Sequence, residues 1–263
     1  MNFHELSVLD VFVAALLILV NGVISVALKL EIEKRLALAT VRTLVQLVLL
    51  GYLLEWVFGQ SDWRFILLLA VAMTLIAGYS AVDRVKRKLP NLRMTSTIAV
   101  LSSSWIVTSV ALFGVLGYDA WKDNPAQYLI PFLGMVLGNT LNGISLGMDR
   151  LGESLVRRRG EVELILTLGG TRWEAAREAV RDAVRTGMIP ILNSMMVVGI
   201  VSIPGMMTGQ ILSGTAPLEA VKYQIVIMFV IAAGTALGTI VAVMLSYRRL
   251  FNRSHQFLFD EIK

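Results

Sequence analysis

Charged residues punctuate this chain at long intervals. Uncharged, largely apolar runs extend from Val11 to Leu28, Phe65 to Val82, Met94 to Tyr118, Asn124 to Met148, Thr186 to Leu218 and Tyr223 to Tyr247. A helix of about 20 such residues crosses the hydrocarbon layer of a membrane, so each run predicts a span. A further run, Leu36 to Phe58, is interrupted by Arg42, Gln46 and Glu55 yet has the length for another crossing. The pattern predicts an all-α, polytopic transmembrane helix bundle. Its spans, about seven, fall at roughly 9–28, 36–58, 65–82, 97–117, 128–148, 186–206 and 224–246, and residues 1–263 read as a single transmembrane domain.

Composition agrees. Apolar residues make up 56% and charged residues 16%, against about 45–50% and ~25% in soluble domains, and the mean hydropathy is +0.70. With no cysteine, the chain forms no disulfide and carries no thiol nucleophile or thiolate metal ligand. Its two histidines, His4 and His255, lie in terminal segments. No Ser/His or paired-Asp arrangement falls at mid-span, so the chain is not expected to be an enzyme. Met1 to Asp10 contains no Lys or Arg, so the first apolar run is expected to stay as a span rather than serve as a cleaved signal.

The net charge of +5 gains meaning from its placement. Loops 29–35, 83–96 and 149–185 and the tail 247–263 carry 20 of the 24 Lys and Arg residues; the opposite loops carry three, Arg64, Lys122 and Lys222. Basic residues concentrate on the cytoplasmic side of membrane proteins. The asymmetry therefore predicts an outer N-terminus, a cytoplasmic C-terminus and no nucleic-acid partner.

Segment 149–185 is the only long connection. It reads as two short helices, the first from about Glu161 to Leu168 and ending at Gly169-Gly170, which permits a sharp turn. The second opens on Thr171-Arg172-Trp173-Glu174, the signature of a reciprocal capping box. Trp173, Ala176, Val180 and Val184 then form one apolar stripe, which needs a partner surface in the bundle or on another protein. Arg177, Arg181 and Arg185 follow Glu174, Glu178 and Asp182 at the i,i+3 spacing that allows pairing.

Glu163, with Gly169 six residues later and an amphipathic helix returning to a span, resembles the cytoplasmic coupling loop of ABC-transporter permeases. Leu164 and Ile165 stand where that motif usually has alanines, and Asp182 stands near an expected proline. Other stretches are similar to the FetB-type permeases, bacterial iron exporters related to the plant STAR-type aluminium-tolerance permeases. They are Ser202-Ile203-Pro204-Gly205-Met206-Met207-Thr208-Gly209, Ala220 to Ile225, Arg42, Gln46 and Gly51-Tyr52, Gly134-Met135 with Gly138-Asn139, and Leu168-Gly169-Gly170-Thr171. The resemblance runs from about Leu36 to His255. It implies a permease of the inner (plasma) membrane, exporting iron or another metal-related substrate and pairing with a separate ATP-binding cassette subunit, as two copies of each. Glu163, Leu168, Gly169, Gly170, Thr171 and Trp173 would then couple it to the ATPase. The chain contains no phosphate-binding loop of the Gly-x-x-x-x-Gly-Lys-Ser/Thr type; ATP, and any other cofactor, is expected on the partner and not on this chain.

Polar groups inside spans are candidates for the pathway, because they are costly in hydrocarbon. Arg42 and Gln46 share one face of the second span, where Arg42 can also snorkel to the headgroups. In the fifth span Gly134 and Gly138 suit close helix approach, while Asn139 and Asn142 can hydrogen-bond across a seam or offer oxygens to an ion. The sixth span holds Asn193, then Ser202 and the Pro204-Gly205 break, a kink or re-entrant turn, followed by Met206 and Met207. Thioethers suit copper(I) better than iron, and His, Cys and carboxylates are not concentrated anywhere. Oxygen-lined passage, or a ligand-bearing complex as cargo, fits the residues better than a tight iron site. The competing reading is a secondary transporter driven by an ion gradient, a class that places titratable carboxylates near mid-membrane; here Asp10 and Glu55 sit at span ends.

Overall fold

The computed structural model describes residues 7–59, 62–252 and 256–262; His4 and His255 lie outside the described residues. All regular structure among them is helical, and the chain falls into two compact units.

The first unit holds α1 (Val8–Ala27) and α2 (Glu33–Phe58), with Leu212–Gly214. Ser7 and Asp10 cap α1 reciprocally. The two helices are joined by a tight turn in which Lys29 and Glu31 adopt positive φ. Ser25 holds that turn: its hydroxyl donates to Glu33 Oε2 at 2.9 Å and accepts from the Ile32 N–H at 3.2 Å.

The second unit, Asp62–Ile211 with Thr215–Lys263, contains α3 (Trp63–Asp83), α4 (Leu92–Ser109), α5 (Pro125–Arg157), α6 (Arg159–Thr167), α7 (Arg172–Val197), α8 (Gly205–Leu212) as far as Ile211, and α9 (Pro217–Arg249). A π-helical segment, Val110–Leu116, prolongs α4. α5 is central, packing on α3, α4, α7 and α9. One apolar core, including Leu133, Ile144, Met148, Leu151 and Leu155 of α5, runs toward the α6 end. A second, around Phe132, Val136, Ile191 and Ile227, lies toward the opposite end.

The helices approach closely where glycines face threonines or other glycines, as membrane helices do. A Cβ at Gly143 would stand 2.6 Å from Thr235 Cγ2, and one at Gly187 would stand 2.6 Å from the Gly143 carbonyl oxygen. The expected Gly134/Gly138 seam is different: Gly138 faces open space and Gly134 meets only the tip of Met73. The close approach lies one to two turns further along α5.

Six helical segments among the described residues are long and apolar enough to cross a membrane: α1 from Leu9, α2, α3, α4 with its π extension, α5 and α9. The expected span at 186–206 is not among them. α7 carries its charged first half and its apolar second half as one continuous helix and stops at Val197. The expected separate amphipathic helix and the following span are therefore one rod. The connection 149–185 also differs at its start, because α5 continues as helix to Arg157. The multi-span, all-helical membrane architecture stands.

Candidate functional site

Two regions concentrate the candidate residues, one at each end of α7. At its start, α6 forms the apex between α5 and α7. The turn after α6 depends on both glycines. Gly169 has φ +86°, where a side chain is strained. Gly170 packs so tightly that a Cβ would stand 2.5 Å from Ile165 Cγ2 and 2.8 Å from the Ile165 carbonyl oxygen. The capping box forms as expected. The Thr171 hydroxyl accepts from the Glu174 N–H at 3.3 Å, and Glu174 Oε2 accepts from the Thr171 N–H at 2.7 Å. These bonds to the Thr171 backbone and hydroxyl hold the Glu174 carboxyl below its ordinary value.

The stripe on α7 faces the protein's own bundle: Ala176 and Val180 are buried, and Trp173 meets the Tyr247 ring edge-on at 5.7 Å. Trp173 itself remains 42% exposed, and with Leu164 and Leu168, at 58% and 79%, it leaves apolar surface on the outside of the apex. Glu163 accepts from Arg159 Nε at 2.7 Å, and the Arg159 guanidinium lies 4.0 Å above the Phe259 ring of the C-terminal tail. Of the expected i,i+3 pairs, Glu178 and Arg181 approach at 3.9 Å. Asp182 turns instead to Arg150 of α5 at 3.9 Å and Arg158 at 3.8 Å, cross-linking the hairpin.

At the other end of α7 the chain breaks. Val198 keeps its helical bond to the Ser194 carbonyl, but Val201 and Ser202 both donate back to Val197, and the Gly199 N–H returns to the Ser202 carbonyl. Gly199 takes φ +81° to close this turn, and Pro204 precedes α8, whose Thr208 N–H and hydroxyl both donate to the Pro204 carbonyl. The break therefore pairs several of its own backbone groups within the turn, as irregular chain in a membrane protein requires.

Beside the break lies a cavity of about 320 Å³ lined by Met135 and Asn139 of α5, Ser194 of α7, Ser202, Pro204, Gly205 and Met206 of the break, and Gln224 and Met228 of α9. Asn139 spends one N–H on the Met135 carbonyl at 2.9 Å, leaving its oxygen for another partner. A second cavity of about 590 Å³ shares Val198, Pro204, Gln224 and Met228 with the first and adds Met195, Ile203, Met207 and Phe229. Gln224 is 8% exposed, and its Oε1 has no hydrogen-bond partner.

The break thus gathers Asn139, Ser202, Pro204, Gly205, Met206 and Met207. It does not gather Asn142, whose oxygen accepts from Arg84 at the end of α3, and Asn193 points outward from α7. Arg42 and Gln46 lie exposed on α2 in the first unit. Gln224 and Met135 lie in stretches that carry the family resemblance but were not singled out as pathway candidates, although Gln224 is an amide at the start of a long uncharged run; Met195 and Met228 were not singled out either. Among the described residues no group of three or more His, Cys, Asp or Glu side chains converges.

Comparison with known proteins bears on the whole chain. A UPF0014 membrane protein of Synechocystis sp. is 39% identical over 87% of this chain and 88% of its own length. The probable iron export permease FetB of Escherichia coli is 31% identical over 100% and 99%. The UPF0014 membrane protein STAR2 of Oryza sativa is 30% identical over 90% and 83%. No solved structure matches. The description "Uncharacterised protein family (UPF0014)" matches residues 8–251, and a match of that extent makes this multi-span membrane protein a member of the UPF0014 family.

Proposed function

We propose that this chain is the membrane-spanning permease subunit of an ABC transporter, exporting iron or another metal-related substrate and energised by a separate ATP-binding subunit. The observation that carries the reading is α7 itself. A single helix of 26 residues, about 39 Å at 1.5 Å per residue, starts at the capped turn beside α6 and ends at the break lined by Ser202 and Pro204. A push on the apex is transmitted to the cavity along this one continuous helix, in which Pro190 marks the point where it can flex. Asp182, bridging to Arg150 and Arg158, ties the rod to α5, so that the hairpin moves as a unit. Leu164 and Leu168 give a motor subunit an apolar foothold, and Gly169-Gly170 keep that foothold at a fixed angle. The name of the FetB relative supports iron as the cargo.

In this reading the permease lies in the inner membrane as a homodimer bound to two ATPase subunits, with its N-terminus outside and α6 in the cytoplasm. Affinity purification from native membranes tests it. The wild-type chain should bring down an ATP-binding subunit, and Gly169→Val or Glu163→Ala should reduce that recovery at least several-fold. Metal flux driven by a proton gradient in vesicles holding this chain alone would overturn the proposal in favour of a secondary transporter.

A further inference from the structure

The two cavities at the break differ in character but share one wall. The smaller presents amides and hydroxyls from Asn139, Ser194, Ser202 and Gln224; the larger is walled by Met195, Ile203, Met207, Ile225 and Phe229. Gln224 stands on the boundary with a buried, unpartnered oxygen. Native proteins pair buried amide oxygens as a rule, and an exception needs an explanation. The Gln224 side chain lines both cavities, which together have space for a small molecule. Among the described residues, neither cavity is lined by an Asp, Glu, His, Lys or Arg side chain. A bare iron cation, stripped of water, prefers carboxylate or imidazole ligands, and a charge without a counter-charge is costly in such surroundings.

We propose that the joined cavities are one binding site for an uncharged amphipathic organic molecule. Gln224, Asn139 and Ser202 hydrogen-bond its polar end, and the methionine-walled cavity takes its apolar end. Resting on the permease reading above, this makes the metal-bearing cargo a neutral chelate rather than a free ion. The metal stays wrapped in its own ligands, and the protein reads the wrapping. Gln224 is the residue that sets this preference, because among the described residues it is the one polar side chain that lines both halves of the site.

The test uses the full chain in lipid nanodiscs, without ATP or partner, and radiolabelled tris(maltolato)iron(III), a neutral chelate, as the probe. Ferrous sulfate and silver nitrate are the free-ion probes, the latter because thioethers favour soft cations. The wild type should bind the chelate saturably and neither free ion. Gln224→Met, close in size but without the amide, should bind it at least tenfold more weakly while melting at or above the wild-type temperature. Ser202→Ala should weaken it in the same direction. No saturable chelate binding, undiminished binding by Gln224→Met, or saturable binding of either free ion would overturn the proposal. Co-purification of the ATP-binding subunit is read separately, so failure of the permease reading and failure of the cargo inference give different results.

Discussion

Glycines at three positions show how sharply local geometry decides what one residue is worth. At Gly170 a methyl group would collide with the Ile165 carbonyl as well as its side chain, and the backbone cannot move aside cheaply. Gly170→Ala should therefore destabilise the protein by about 1–3 kcal/mol, the usual cost of overpacking. Gly187→Ala should behave alike, since its Cβ would meet the Gly143 carbonyl oxygen at 2.6 Å. Gly138 sits in the middle of α5 facing open space. There alanine removes only backbone freedom, and Gly138→Ala should be neutral or stabilising by about 0.5–1 kcal/mol. Thermal unfolding of the three variants in the same detergent checks the order. A gain at Gly170 equal to that at Gly138 would contradict the described turn.

Among the elements, α7 carries the most consequence, and its first turn is the part that responds to pH. The Glu174 carboxyl is held below its ordinary value of 4.5 by its bonds to Thr171. A carboxyl lowered on folding contributes stability that is complete above its unfolded pKa and is lost as pH falls through the folded one. The cap is therefore intact at neutral pH and releases in acid. Protection of the amides of residues 171–175 against hydrogen exchange, relative to their intrinsic rates, should fall as the medium is acidified below the ordinary carboxyl value of 4.5, and Glu174→Gln should flatten that dependence. Thr171→Ala should weaken the helix start by about 1 kcal/mol at neutral pH. The capping box and the Gly169-Gly170 turn were legible in sequence because they are contacts between residues three to five apart. The continuity of α7 was not, because a charged half and an apolar half look like two elements until one rod is seen to contain both.

For the molecule as a whole, the lack of cysteine makes single-cysteine labelling a direct test of the proposed orientation. Arg158→Cys, at the α5–α6 junction, should react with a membrane-impermeant maleimide only in inside-out vesicles. Lys122→Cys, between α4 and α5, should react only in intact cells or right-side-out vesicles. The opposite pattern would invert the bundle and remove the apex from any cytoplasmic motor.

Runs of apolar residues were enough to establish a helical, multi-span membrane protein, while the bias of basic loops carries the proposed orientation. Both effects act through the solvent on one segment at a time, so each is readable along the chain. Which polar residues share a cavity was decided by tertiary structure alone. Asn139 and Asn142 are three residues apart in sequence, yet Asn139 lines the cavity and Asn142 accepts from Arg84. Gln224 shares that cavity with Asn139 only because α9 packs along α5 and α7. A buried amide left without a partner is a property of that packing, and no local pattern along the chain encodes it.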